Sequence, residues 1–197
     1  MLHMLSALKH EARPIIEHYR LEHDGGARPF TSYRNNEISL TITGVGKQAA
    51  MEGTRFAAEY YHAGDRDAWL NIGIAGHRSL PIGTLVLANK ITDSESQQVW
   101  YPRLPFPTSL DTLPLTTVNA PEVDYKDNDM IDMEAAGFYR SACRIGSLDL
   151  IHALKIISDN EAHPSARISK QSVLDFFDAN LMEIDKLVTQ LQLHSEA

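Results

Sequence analysis

Ile38-Ser39-Leu40-Thr41-Ile42-Thr43-Gly44-Val45-Gly46-Lys47-Gln48-Ala49-Ala50 is the stretch on which the fold turns. Ile38, Leu40 and Ile42 alternate with Ser39, Thr41 and Thr43, the period-two pattern of a half-buried strand. Gly44 and Gly46 break that pattern. Ala49, Ala50, Gly53, Phe56, Ala57 and Tyr60 then recur at helical spacing, with small residues where close packing is needed. Strand, glycine turn and helix in this order form the building unit of an α/β sheet.

The flanking sequence repeats the alternation. Towards the N-terminus, Leu2 to Ala7 reads as a buried strand, and Lys9 to Leu21 as a helix with Ala12, Ile15, Ile16 and Tyr19 on its inner face. Pro14 suits that helix only near its first turn. Asp24-Gly25-Gly26 signals a turn. Towards the C-terminus, Ala68 to Ile74 is a second apolar run ending in Gly73-Ile74-Ala75-Gly76, and Gly83 to Ile91 is a third, after Pro81. The segment Gln97 to Asn128 holds Pro102, Pro105, Pro107, Pro114 and Pro121 and reads as short strands and loops. Beyond it come Met130 to Met133, a helix over Glu134 to Arg144, and a buried strand over Leu150 to Ser158. A last amphipathic helix runs from about Ser169 to Leu191, with Val173, Leu174, Phe177, Leu181, Ile184, Val188 and Leu191 as its inner stripe, and the tail from His194 frays. No repeat with a period of roughly 20–50 residues is present.

Composition narrows the class of partner. A chain of 197 residues with 43% hydrophobic and 22% charged side chains is expected to fold as a single domain over residues 1–197. Eighteen Lys and Arg against 26 Asp and Glu give a formal charge of −8, which disfavours a nucleic-acid polymer and favours a small molecule. The lone Cys143 cannot form an internal disulfide, and the N-terminus lacks the order of a secretory signal, so a cytoplasmic setting is expected. No run approaches the roughly 18 consecutive apolar residues of a membrane span.

Several motifs fall short of a known chemistry. Gly44-x-Gly46-x-x-Ala49 fits a dinucleotide fingerprint, but the acidic residue required at the end of the next strand is missing, and a tight glycine turn explains the glycines. His10-Glu11 with His18 lacks the second zinc-ligand histidine, because Pro14 stands there. A Gly-x-Ser-x-Gly nucleophile elbow is absent, and Cys143, placed within a helix, reads as an inert thiol. Neither a metal nor an organic cofactor is called for. Three acids stand out because each follows a strand, where α/β sheets bind ligands: Glu11, Glu134 and Asp159. Each also has a structural reading, Glu11 and Glu134 as first-turn acids favoured by the helix dipole and Asp159 as a turn cap.

Five segments taken in order sharpen that choice: Ser6-Ala7-Leu8-Lys9-His10-Glu11-Ala12, Thr43-Gly44-Val45-Gly46-Lys47-Gln48-Ala49-Ala50, Asn71-Ile72-Gly73-Ile74-Ala75-Gly76, Asp132-Met133-Glu134-Ala135-Ala136-Gly137 and Ile157-Ser158-Asp159-Asn160. Together they resemble the landmarks of the nucleoside phosphorylase and nucleosidase superfamily, in particular methylthioadenosine/S-adenosylhomocysteine nucleosidases and futalosine hydrolases. The resemblance implies a three-layer α/β/α fold with a twisted mixed sheet, and cleavage of the N-glycosidic bond of a purine-type nucleoside.

By position, the resemblance makes Asp159 the acid that protonates the purine, Glu134 the clamp on the ribose hydroxyls and Glu11 the base that activates water. Met133 would pack on the ribose, Ser158 would orient Asp159, and Ala75 and Gly76 would line the substrate site; core packing is the other reading of Met133 and Ser158. Lys155 stands where these nucleosidases usually carry an arginine near the attacking water, keeping the charge but losing the bidentate fork. Ile74 cannot donate to phosphate as the phosphorylases' serine does, so water is the favoured nucleophile. A phosphorylase using Lys9, Arg13 and Lys47 as an anion cluster, and a nucleoside-binding module without turnover, both stay open. A homodimer or larger homo-oligomer is also implied, with the segment Gln97 to Asn128 supplying either an interface or a substrate lid.

Overall fold

The structure, a computed structural model, describes residues 1–121, 125, 128–165 and 168–196. In chain order its elements are β1 (Leu2–Ser6), α1 (Lys9–His18), β2 (Glu22–Asp24), β3 (Thr31–Arg34), β4 (Ile38–Ile42), α2 (Lys47–Tyr60), β5 (Ala68–Gly76), β6 (Leu85–Asp93), β7 (Val99–Trp100), β8 (Asp111–Thr117), β9 (Met130–Asp132), α3 (Ala135–Ala142), β10 (Ile151–Asp159) and α4 (Lys170–Glu196). The strand, glycine turn and helix read from Ile38 to Ala50 are β4, its turn and α2. Gly46 precedes α2 with φ 106°, a backbone conformation a side chain would strain.

The centre of the sheet is parallel. β1 lies between β4 and β5, and β5 pairs in turn with β10, all four running the same way. These strands are buried along almost their whole length, which is why they read as apolar runs. On one side the sheet continues antiparallel through β3 to β2, whose exposed Glu22 and His23 give a short, polar edge. On the other side β10 pairs antiparallel with β6, β6 parallel with β8 and β8 parallel with β9. β9 then returns to β5 through the pair Gly76 and Ile131, so this half of the sheet curls into a closed ring. Residues distant in sequence are thereby brought to one end of β5.

Helices cover both faces, giving the expected α/β/α layering. Ala12 and Ile15 of α1 join Val173, Phe177, Ile184, Leu187, Val188 and Leu191 of α4 in one core, with β1 and β4 beneath. Ala50 and Ala57 of α2 join Ala135, Ala136, Phe138, Tyr139 and Ala142 of α3 in the other. Each large side chain buried this way is worth roughly 1.5–3 kcal/mol over exposure. Gly137 lets the second pair approach closely, since a Cβ there would stand 2.0 Å from the Lys47 carbonyl oxygen.

Some expectations move in detail. Pro14 lies at the sixth residue of α1, beyond the first turn, where it is buried and the helix ends four residues later. The C-terminal tail does not fray from His194: α4 continues to Glu196, and His194 and Ser195 bond back to the carbonyls of Gln190 and Gln192. Cys143 caps the end of α3 and does not lie within it; burial pushes its thiol up to about 11, as befits an inert side chain. Among the described residues, no helix is long and apolar enough to cross a membrane.

Candidate active site

The carboxyl ends of β1, β5 and β10 open onto one cavity, and Glu11, Glu134 and Asp159 all line it. Ala75, Gly76, Met133 and Ser158, also expected at the site, lie on its wall. Lys155 does not line it; its side chain lies behind the wall and is 1% exposed.

Glu11 is held more firmly than a helix-dipole acid requires. Its Oε2 accepts from the Leu8 backbone N–H at 2.9 Å and from the Ser6 hydroxyl at 3.0 Å, while Oε1 accepts from the Ile74 backbone N–H at 3.0 Å. The Leu8 bond satisfies the N-cap N–H of α1 from the third residue of the helix, half of a capping box, so the structural reading of Glu11 holds as well. The Ile74 bond adds what the cap does not need, tying the carboxylate to β5. Gly73 makes room for it: a Cβ there would stand 3.0 Å from Oε1.

Glu134 occupies the residue before the first turn of α3, yet its side chain turns away from its own helix. Oε1 accepts from the Gly46 N–H at 2.8 Å, so the glycine turn ahead of α2 serves a carboxylate of this chain. This is the anion preference of a helix N-terminus met internally. Burial, and then the neighbouring Asp132, push Glu134 up to about 7.

Asp159 ends β10, where the register with β5 slips between Ile157 and Asp159. Such irregularities re-aim side chains, and here Ser158 and Asp159 meet: the Ser158 hydroxyl lies 2.6 Å from Oδ1. The other oxygen, Oδ2, accepts from the phenol of Tyr125. Burial and Asp159 hold the phenol above its ordinary range, so it stays protonated and donates. Tyr125 has no motif around it that marks it as a site residue.

Behind the wall, the Lys155 ammonium lies 2.8 Å from Asp132 Oδ2 and 2.8 Å from Asn71 Oδ1. Burial alone would lower its proton affinity, but Asp132, Glu134 and Glu11 outweigh that, so it stays charged. The sequence places Asp132 and Asn71 inside recognised segments without signalling this pairing. The cations considered as an anion cluster are elsewhere: Lys9 is exposed, Arg13 pairs with Glu17 at 2.7 Å, and Lys47 is 2.6 Å from Asp93. Among the described residues no lysine or arginine lines the cavity.

No family model matches the sequence, and no curated protein matches it. Solved structures do. The 5′-methylthioadenosine nucleosidase of Arabidopsis thaliana superposes with a TM-score of 0.77 at 17% identity, covering 96% of this chain and 95% of that one. The chain carries the nucleosidase fold. A 5′-methylthioadenosine/S-adenosylhomocysteine nucleosidase from S. pneumoniae, solved with the transition-state inhibitor MT-ImmA, gives 0.68 at 15% identity over 100% and 99% of the two chains. A futalosine hydrolase mutant of Helicobacter pylori gives 0.67 at 15% over 96% and 98%. Within this nucleosidase fold the cavity lies where open α/β sheets bind ligands, beyond the carboxyl ends of the parallel strands.

Proposed function

We propose that the protein hydrolyses the N-glycosidic bond of a purine-type nucleoside to free base and sugar, without a metal or organic cofactor. One observation carries the reading: three acids from separate segments converge on one cavity in a fold shared with nucleosidases. Breaking the bond leaves positive charge on the ribose and negative charge on the departing base. Asp159, oriented by Ser158, donates a proton to the base. Glu134 accepts hydrogen bonds from the ribose hydroxyls, with Met133 against the sugar. Glu11, its carboxylate fixed by three donors, takes a proton from the attacking water. The carboxylates on the cavity wall suit an oxocarbenium-like ribose, and the apolar Ile74 on that wall, which cannot donate to phosphate, supports water as nucleophile.

The test is incubation of the purified protein with methylthioadenosine, S-adenosylhomocysteine, futalosine, inosine and adenosine, each with and without phosphate. The expected result is release of free base at a rate independent of phosphate, with a free sugar as co-product. Phosphate-dependent formation of a sugar 1-phosphate would replace hydrolysis by phosphorolysis. A nucleoside that raises the melting temperature and is never cleaved would mark a binding module.

A further inference from the structure

Glu11, Asp132, Glu134 and Asp159 crowd this end of the sheet, and the buried Lys155 ammonium lies against Asp132. Lys155 is central to the arrangement, because its two partners lie on different elements. Asn71, three residues before the Ile74 amide that holds Glu11, belongs to β5, and its own side-chain N–H donates to the Leu5 carbonyl of β1 at 3.2 Å. Asp132 ends β9 and opens the turn that carries Met133 and Glu134. Both Asp132 oxygens are engaged: Oδ1 accepts from the Thr117 hydroxyl at 2.7 Å, and Oδ2 from the Ala135 backbone N–H at 2.8 Å as well as from Lys155. Lys155 itself lies on β10, four residues before Asp159.

We propose that Lys155 and Asp132 form a positioning pair that fixes the turn on which Glu134 stands, and that Lys155 does not hold the attacking water. The inference rests on reading Glu134 as the ribose clamp. One ammonium joins β10, β5 and the turn between β9 and α3, the three places from which the acids or their anchors project. Lys155 and Asp132 also act on Glu134 through their charges. The charges acting on Glu134 are Asp132 from β9, Lys155 from β10 and Glu11 from α1, while its oxygens accept from the Gly46 N–H before α2 and the Met133 N–H. Lys155 favours the carboxylate and Asp132 opposes it, so removing either one displaces Glu134 in an opposite sense. A merely structural pair would damage the fold from either side without that sign.

The experiment follows the Glu134 carboxyl carbon by 13C NMR against pH, its resonance assigned with Glu134→Gln. Lys155→Met is expected to raise the titration midpoint by about one pH unit or more, and Asp132→Asn to lower it by a similar amount. The double variant should return it towards the native value. With a nucleoside that the native protein cleaves, the acid limb of kcat/KM should move in the same order. The carboxyl titration needs no turnover, so this proposal and the nucleosidase reading fail separately. Removing one partner of a buried pair is costly to folding; if Lys155→Met does not fold, Asp132→Asn is compared with the double variant, where the midpoint should rise. Midpoints that move in one direction for both changes, or do not move, overturn the proposal.

Discussion

At Gly73 the site is held by the absence of a side chain. The Glu11 carboxylate has three donors on it and little freedom to yield, so the 3.0 Å contact from an added Cβ must shift it by a few tenths of an ångström against those anchors. Gly73→Ala is therefore expected to leave the melting temperature within a few degrees of native while base release slows about 10-fold or more, since small misplacements of reacting groups are costly. A variant with native turnover would show that Glu11 is not positioned as described. The three acids were legible because each follows a strand in a recognisable segment. Tyr125 and the pairing of Lys155 with Asp132 and Asn71 were not, because these contacts join residues far apart in sequence that only the folded sheet brings together.

At the scale of elements, α2 and α3 depend on backbone approach more than on side-chain bulk. The Lys47 carbonyl lies where a Gly137 Cβ would be, and a backbone atom cannot swing aside as the end of a side chain can. Gly137→Ala is expected to cost about 3 kcal/mol, read as a lowered midpoint in urea unfolding. An unchanged midpoint would mean that the helices separate without cost. The regular elements were readable wherever one period ran for several residues, as in β4, α2 and α4. β2 and β3 escaped because they are short and partly exposed, so alternation has little to act on. β8 was expected only as one of the short strands of Gln97 to Asn128 and not placed, because its middle residue is Pro114, which locally removes a ladder donor and looks like a loop signal. The register of β6 with β8 slips just before Pro114 pairs with Lys90, which is how the sheet accommodates it.

On the scale of the whole molecule, closing half of the sheet converts a set of strand ends into a cavity. An open parallel sheet would leave Glu11 and Asp159 on its rim with Glu134 apart; the return of β9 to β5 brings the Glu134 turn against them. The same closure gathers Glu11, Asp132, Glu134 and Asp159 on one cavity wall, with the buried Lys155 against Asp132 from behind. The proposed reaction is N-glycosidic cleavage with Asp159 as the acid. It is tested most directly by comparing native protein and Asp159→Asn for base release from the nucleoside of the panel that the native protein cleaves fastest. The expected result is a loss of about 10²–10⁴-fold in the variant, with the fold retained by circular dichroism. Native-rate release by Asp159→Asn, or no release from any nucleoside by the native protein, would contradict it.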